Sequence, residues 1–115
     1  MTLTSTDAVS LLVSGFPTLK PIIDEDELWA SPHIAYGLLA TELLGKEDSS
    51  LLNSAAAFID ELANSGDKLI EELLVIDILE GIAQDPKIAR RLKTKIGSKS
   101  AAFLERVERE YFRRG

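Results

Sequence analysis

Residues 67–84 read Asp67-Lys68-Leu69-Ile70-Glu71-Glu72-Leu73-Leu74-Val75-Ile76-Asp77-Ile78-Leu79-Glu80-Gly81-Ile82-Ala83-Gln84. At 100° per residue, Ile70, Leu74, Val75, Ile78, Leu79 and Ile82 fill one side. Leu69, Leu73 and Ile76 share the other sector with Glu72, Asp77, Glu80 and Gln84. A helix apolar nearly all round is one that its neighbours enclose, so this segment, about 27 Å long, is expected to be the central rod of the fold. Its mixed apolar and acidic stripe has a second reading, a surface that meets a partner.

Outward from this rod, start and stop signals recur at short intervals. Upstream, Thr4, Ser5 or Thr6 can cap a first helix over 5–16 that places Val9, Leu12, Val13 and Phe16 on one face, with Gly15 and Pro17 ending it. Between Pro17 and Pro21 the chain is expected to be extended or turning. Ser31-Pro32 opens a second helix running to Gly45, because Ser can accept a bond from a free helix amide and Pro has no amide to leave unpaired. A third helix, 49–64, carries the stripe Leu51, Leu52, Ala55, Ala56, Phe58, Ile59, Leu62 and Ala63.

Downstream, Asp85-Pro86 opens a short basic helix over 86–96. Ser98 can cap a last helix, 98–112, with Phe103, Leu104, Val107 and Tyr111 on one face and Glu105–Arg109 and Glu110–Arg114 spaced as helix ion pairs. Alternating β-branched runs are absent. The fold class is therefore all-α: one domain, residues 1–115, a bundle of about six helices around 67–84.

Composition limits the chemistry. With 115 residues and 45% hydrophobic content, one core suffices without disulfides or a structural metal. The absence of cysteine excludes thiol nucleophiles, thiolate zinc sites and iron–sulfur clusters. No basic start precedes the apolar N-terminal stretch and no apolar run reaches membrane length, so the protein is expected to be cytoplasmic and off the membrane. Net charge is −6, divided unevenly. Residues 1–85 carry 16 acidic and 3 basic groups, or −13, and residues 86–115 carry 3 acidic and 10 basic, or +7. The two parts can form opposed surfaces or neutralise each other across the fold.

His33 is the single histidine, so any His-based metal cluster or Ser–His pair would have to be built around one ring. The glycines are isolated and form no phosphate loop. Glu72, Asp77 and Glu80 have the spacing of a magnesium site, but a facing carboxylate set is lacking apart from Asp60-Glu61; a solvated helix face is the simpler account. The basic run Lys87, Arg90, Arg91, Lys93, Lys95 and Lys99 lacks interleaved aromatics in a chain of pI 4.8. Neither an enzyme, a cofactor, a metal nor a nucleic-acid partner is expected. The candidate partner surface combines Asp24, Glu25, Asp26, Glu27 and Trp29, four carboxylates beside an aromatic of the kind that anchors interfaces, with Glu72, Asp77 and Glu80 on the central helix.

The run Leu69 to Gly81, ending in Leu79-Glu80-Gly81, is followed by a short helix and the turn Ile96-Gly97-Ser98-Lys99. Over residues 67–112 this pattern resembles small helical immunity proteins of bacterial polymorphic-toxin systems. The resemblance implies a protein that neutralises a cognate toxin by stoichiometric binding. An acidic surface suits a basic toxin, since complementary charge speeds encounter and rejects wrong partners. Two other classes fit the same residues: a regulatory or adaptor module, distinguished by the lack of a toxin gene beside it, and a metal-dependent nucleotide hydrolase, distinguished by magnesium-dependent phosphate release.

Overall fold

A computed structural model describes residues 4–45 and 49–114, with side chains to residue 110. Among these residues the chain forms helices and no strand: α1 (Ser5–Gly15), α2 (Lys20–Glu25), α3 (Pro32–Gly45), α4 (Ser49–Ala63), α5 (68–83), α6 (Pro86–Lys93) and α7 (Ser98–Arg114). None of them is long and apolar enough to cross a membrane.

The capping chemistry is local and follows the sequence. Thr4 and Asp7 form a reciprocal capping box at α1, the hydroxyl accepting from Asp7 N at 3.1 Å and the carboxylate from Thr4 N at 3.2 Å. Asp67 accepts from Ile70 N to start α5. Asp85 accepts from Lys87 N and Ile88 N, with Pro86 in the first turn of α6. Gly66 closes the α4 end at φ +73°, a left-handed conformation that costs glycine little.

Three segments depart from the sequence reading. Between Pro17 and Pro21 the chain turns, as one of the two readings has it, but it then forms a helix that the sequence reading lacks. Pro17–Leu19 is a 3₁₀ turn that runs into α2, and both prolines occupy first-turn positions, where a missing amide is harmless. This adds a seventh helix. Helix α6 stops at Lys93 rather than 96, because Thr94 Oγ1 turns back onto the Arg91 carbonyl at 2.7 Å and the chain leaves in a turn. Within α5, the segment Lys68–Glu72 is α-helical, Leu73–Leu79 is π-helical and Glu80–Ala83 returns to α. The wider turn buries Leu73, Leu74, Ile78 and Leu79, two pairs five residues apart. Leu73 thus leaves the acidic sector that a uniform 100° step assigns to it.

One core joins every helix, and α5 lies against α3, α4 and α7. At its α1–α3–α4 corner the rings of Phe16 and Phe58 meet edge to face at 5.4 Å, with Tyr36 6.1 Å from Phe58. Tyr36 is wholly buried and donates its hydroxyl to the Ala8 carbonyl at 2.7 Å; burial raises its pKa. Where α3 and α5 run side by side, Ala40 packs directly on Gly81.

Candidate functional site

Asp77 is the pivot of the acidic stripe. The π-helical ladder brings residues five apart onto one line, which sets Glu72 one turn before Asp77, while Glu80 follows three residues later. Across from it, the first turn of α3 presents His33, whose Nδ1 lies 2.5 Å from Asp77 Oδ2. The Asp77 side chain is 15% exposed and that of His33 49%. Burial raises the Asp77 pKa, and the negative fields of Glu72 and Glu80 add to the rise. The His33 contact opposes both without cancelling them. With Asp77 ionised, Nδ1–H donates to it; with Asp77 protonated, the carboxyl donates to Nδ1. In either case one hydrogen bond joins α3 to α5.

Sequence reasoning treated His33 and Asp77 separately, since 44 residues part them and only the packing of α3 on α5 brings them together. Such a pair can hold or pass a proton. Among the described residues, no group of three or more His, Asp or Glu side chains could hold a metal ion. Asp60, the nearest candidate for a facing carboxylate, is committed elsewhere. Its Oδ1 accepts from Gly97 N at 2.9 Å and from the buried Ser100 hydroxyl at 2.6 Å, fastening the start of α7 to α4.

The acidic turn after α2 is anchored by its own first carboxylate. Asp24 accepts from Lys20 Nζ at 2.7 Å through Oδ2 and from Trp29 Nε1 at 2.7 Å through Oδ1. These two hydrogen bonds hold its pKa below the usual value. Asp24 is therefore a brace for Trp29, which is half-buried against the core. Glu25, Asp26 and Glu27 are exposed, Glu27 at φ +54°.

Trp29 precedes His33 by four residues, so the turn leads straight into the α3 end of the His33–Asp77 contact. Ile34, next to His33, is 59% exposed, the largest value among the described large apolar residues, and Ile76, next to Asp77, is 44% exposed. Ile34 is hard to read from the sequence because the outer face of α3 mixes it and Leu44 with only a few polar residues, His33, Thr41 and Glu42.

The far flank of α5, toward α7, carries a groove of about 610 Å³ between Leu69, Val75, Ile76 and Arg106. Of the basic residues of α6, Lys93 is paired with Glu108 of α7 at 2.5 Å, and Arg91 donates to the Ser49 hydroxyl at 3.5 Å. No ion pair joins Glu105 to Arg109 among the described residues, and Tyr111 and the Glu110–Arg114 pair lie outside the described side chains. No curated protein and no solved structure matches the chain. A family model covers residues 9–112, and the chain belongs to that family, described as a domain of unknown function (DUF7674).

Proposed function

We propose that this protein is a non-catalytic binding module that acts by stoichiometric association with a protein partner, as an immunity protein neutralises a cognate bacterial toxin. The observation that carries the binding reading is Ile34, exposed beside the His33–Asp77 junction. Carboxylates flank that junction, Glu72, Asp77 and Glu80 on α5 and Glu25, Asp26 and Glu27 in the approaching turn. An apolar centre desolvated inside a charged rim is the anatomy of a protein interface. The rim gives encounter rate and partner choice, and the apolar centre gives lifetime. The word toxin rests on the resemblance over residues 67–112 alone.

The test is co-expression with the product of the adjacent gene. The expected results are restored growth, an equimolar complex of the two chains, and loss of both on Ile34→Lys with the melting temperature unchanged. An adjacent gene whose product is harmless, or a harmful product that neither binds nor is neutralised, overturns the toxin reading. A folded Ile34→Lys variant that still protects moves the interface elsewhere.

A further inference from the structure

The groove between α5 and α7 has walls of different charge. On the α5 side stand Glu71 and Glu72, with Lys68 at the helix start; on the α7 side stands Arg106, its guanidinium 5.2 Å over the Phe103 ring. Arg106 also borders a second hollow of about 310 Å³, continued along α7 by Lys99 and Arg109. The floor is apolar: Leu69 and Val75 are half-buried and Ile76 is 44% exposed, while half-buried Phe103 lines the second hollow. Among the described residues, Glu71, Glu72, Lys99 and Arg109 make no ion pair with another side chain.

We infer that this groove is a self-association surface, on which two copies of the chain pair about a two-fold axis. A two-fold axis running along the groove sets the patch against itself with its walls exchanged, so the acidic wall of one copy meets the basic wall of the other, twice. Within the groove the α5 wall is net −1 from Glu71, Glu72 and Lys68, and the α7 wall is +1 from Arg106, with Lys99 and Arg109 in the adjoining hollow. A groove with both signs on opposite walls is complementary to its own copy. The floor supplies the apolar area, with Ile76 of each copy brought out of water, and the walls set the register. This goes beyond the partner reading, which centres on the α3 side of α5 and shares with the groove only Glu72, at the edge of its rim.

Sedimentation velocity on the full chain tests it, with wild type, Glu72→Arg, Arg106→Glu, and the two variants mixed. The expected result is a reversible dimer for wild type, weakened by salt, and monomers for each single variant, where like charges face each other twice. The equimolar mixture is expected to restore a dimer, because each copy then offers the sign the other lacks at both contacts. Ile76→Asp, at an exposed position, is expected to give a folded monomer. A wild-type chain that stays monomeric up to about 1 mM, the weak end of specific association, overturns the proposal. So does a dimer that survives both single variants, oligomers that grow without closing, or a mixture that stays monomeric. A groove that proves to bind the adjacent gene's product, with the free chain monomeric, likewise replaces the second copy as its occupant.

Discussion

A Cβ placed on Gly81 would stand 2.9 Å from the Cβ of Ala40, so α3 and α5 touch with no room for a methyl group between them. Four residues before Gly81, Asp77 meets His33, seven residues before Ala40. The small residue sets the spacing of the two helices, and that spacing lets the polar pair close. Gly81→Ala pits two effects against each other. The gain in helix propensity is about 1 kcal/mol, and overpacking at a backbone-close contact costs about 1–3 kcal/mol. Net destabilisation is expected in urea unfolding, with part of it recovered by Ala40→Gly in the same chain. A Gly81→Ala variant more stable than wild type would mean that the helices separate freely.

Asp77→Asn is expected to stabilise the protein at neutral pH. Folding raises the Asp77 pKa, so the folded state holds that proton more tightly than the unfolded chain. The stability this confers is complete below the unfolded value of 3.8 and is lost as pH rises through the higher folded value. The amide keeps a hydrogen-bonding group for His33 without a buried charge beside Glu72 and Glu80. The expected gain is about 1 kcal/mol at pH 7, shrinking to nothing as the wild-type carboxyl takes up its proton. Melting temperatures across pH 3–7 check it, and a gain that widens toward low pH would reverse the sign.

The Asp24–Trp29 bond makes the indole a reporter of one carboxylate. Because hydrogen bonds from Lys20 and Trp29 depress the Asp24 pKa, the contribution of this contact is present above 3.8 and fades as pH falls through the lower folded value. Trp29 emission is expected to shift with a midpoint below 3.8, and Asp24→Asn, which keeps an acceptor oxygen, should abolish that shift. A midpoint above 3.8 contradicts the bond.

Glu27 holds a left-handed conformation at φ +54° that costs a residue with a Cβ roughly 1–2 kcal/mol. Glu27→Gly is expected to raise stability by about 1 kcal/mol in urea unfolding, since the relief exceeds the entropy lost to glycine. A loss of stability would show that the Glu27 side chain holds the turn.

What the sequence made legible was local. The Thr4 cap and the Asp85-Pro86 start act within one helical turn, and the alanine-rich stripe of α4 is buried as its period implies, save half-exposed Leu51. Helix α2 leaves no clear mark in the sequence, because a proline that breaks a helix interior is equally compatible with a helix start. The π-helical stretch escaped because a uniform step cannot show where packing inserts a wider turn. His33–Asp77 and Asp60–Ser100, 44 and 40 residues apart, are contacts of the fold and leave no mark in spacing. Asp24 was read as a contact for a partner, and its internal role appears only once the turn brings Trp29 back to it.

The interface itself is tested most directly by the association rate with the adjacent gene's product, measured at low and high salt. Reversing Glu25, Asp26 and Glu80 to Lys should slow association by roughly 10-fold or more at low salt, with the loss shrinking as salt screens the charges. Asp24 is left intact so that Trp29 stays anchored, and melting temperatures run alongside confirm the fold. Wild-type association by this triple variant, together with loss of binding on reversing Arg90 and Lys95, would place the interface on the basic end of the chain and contradict the account.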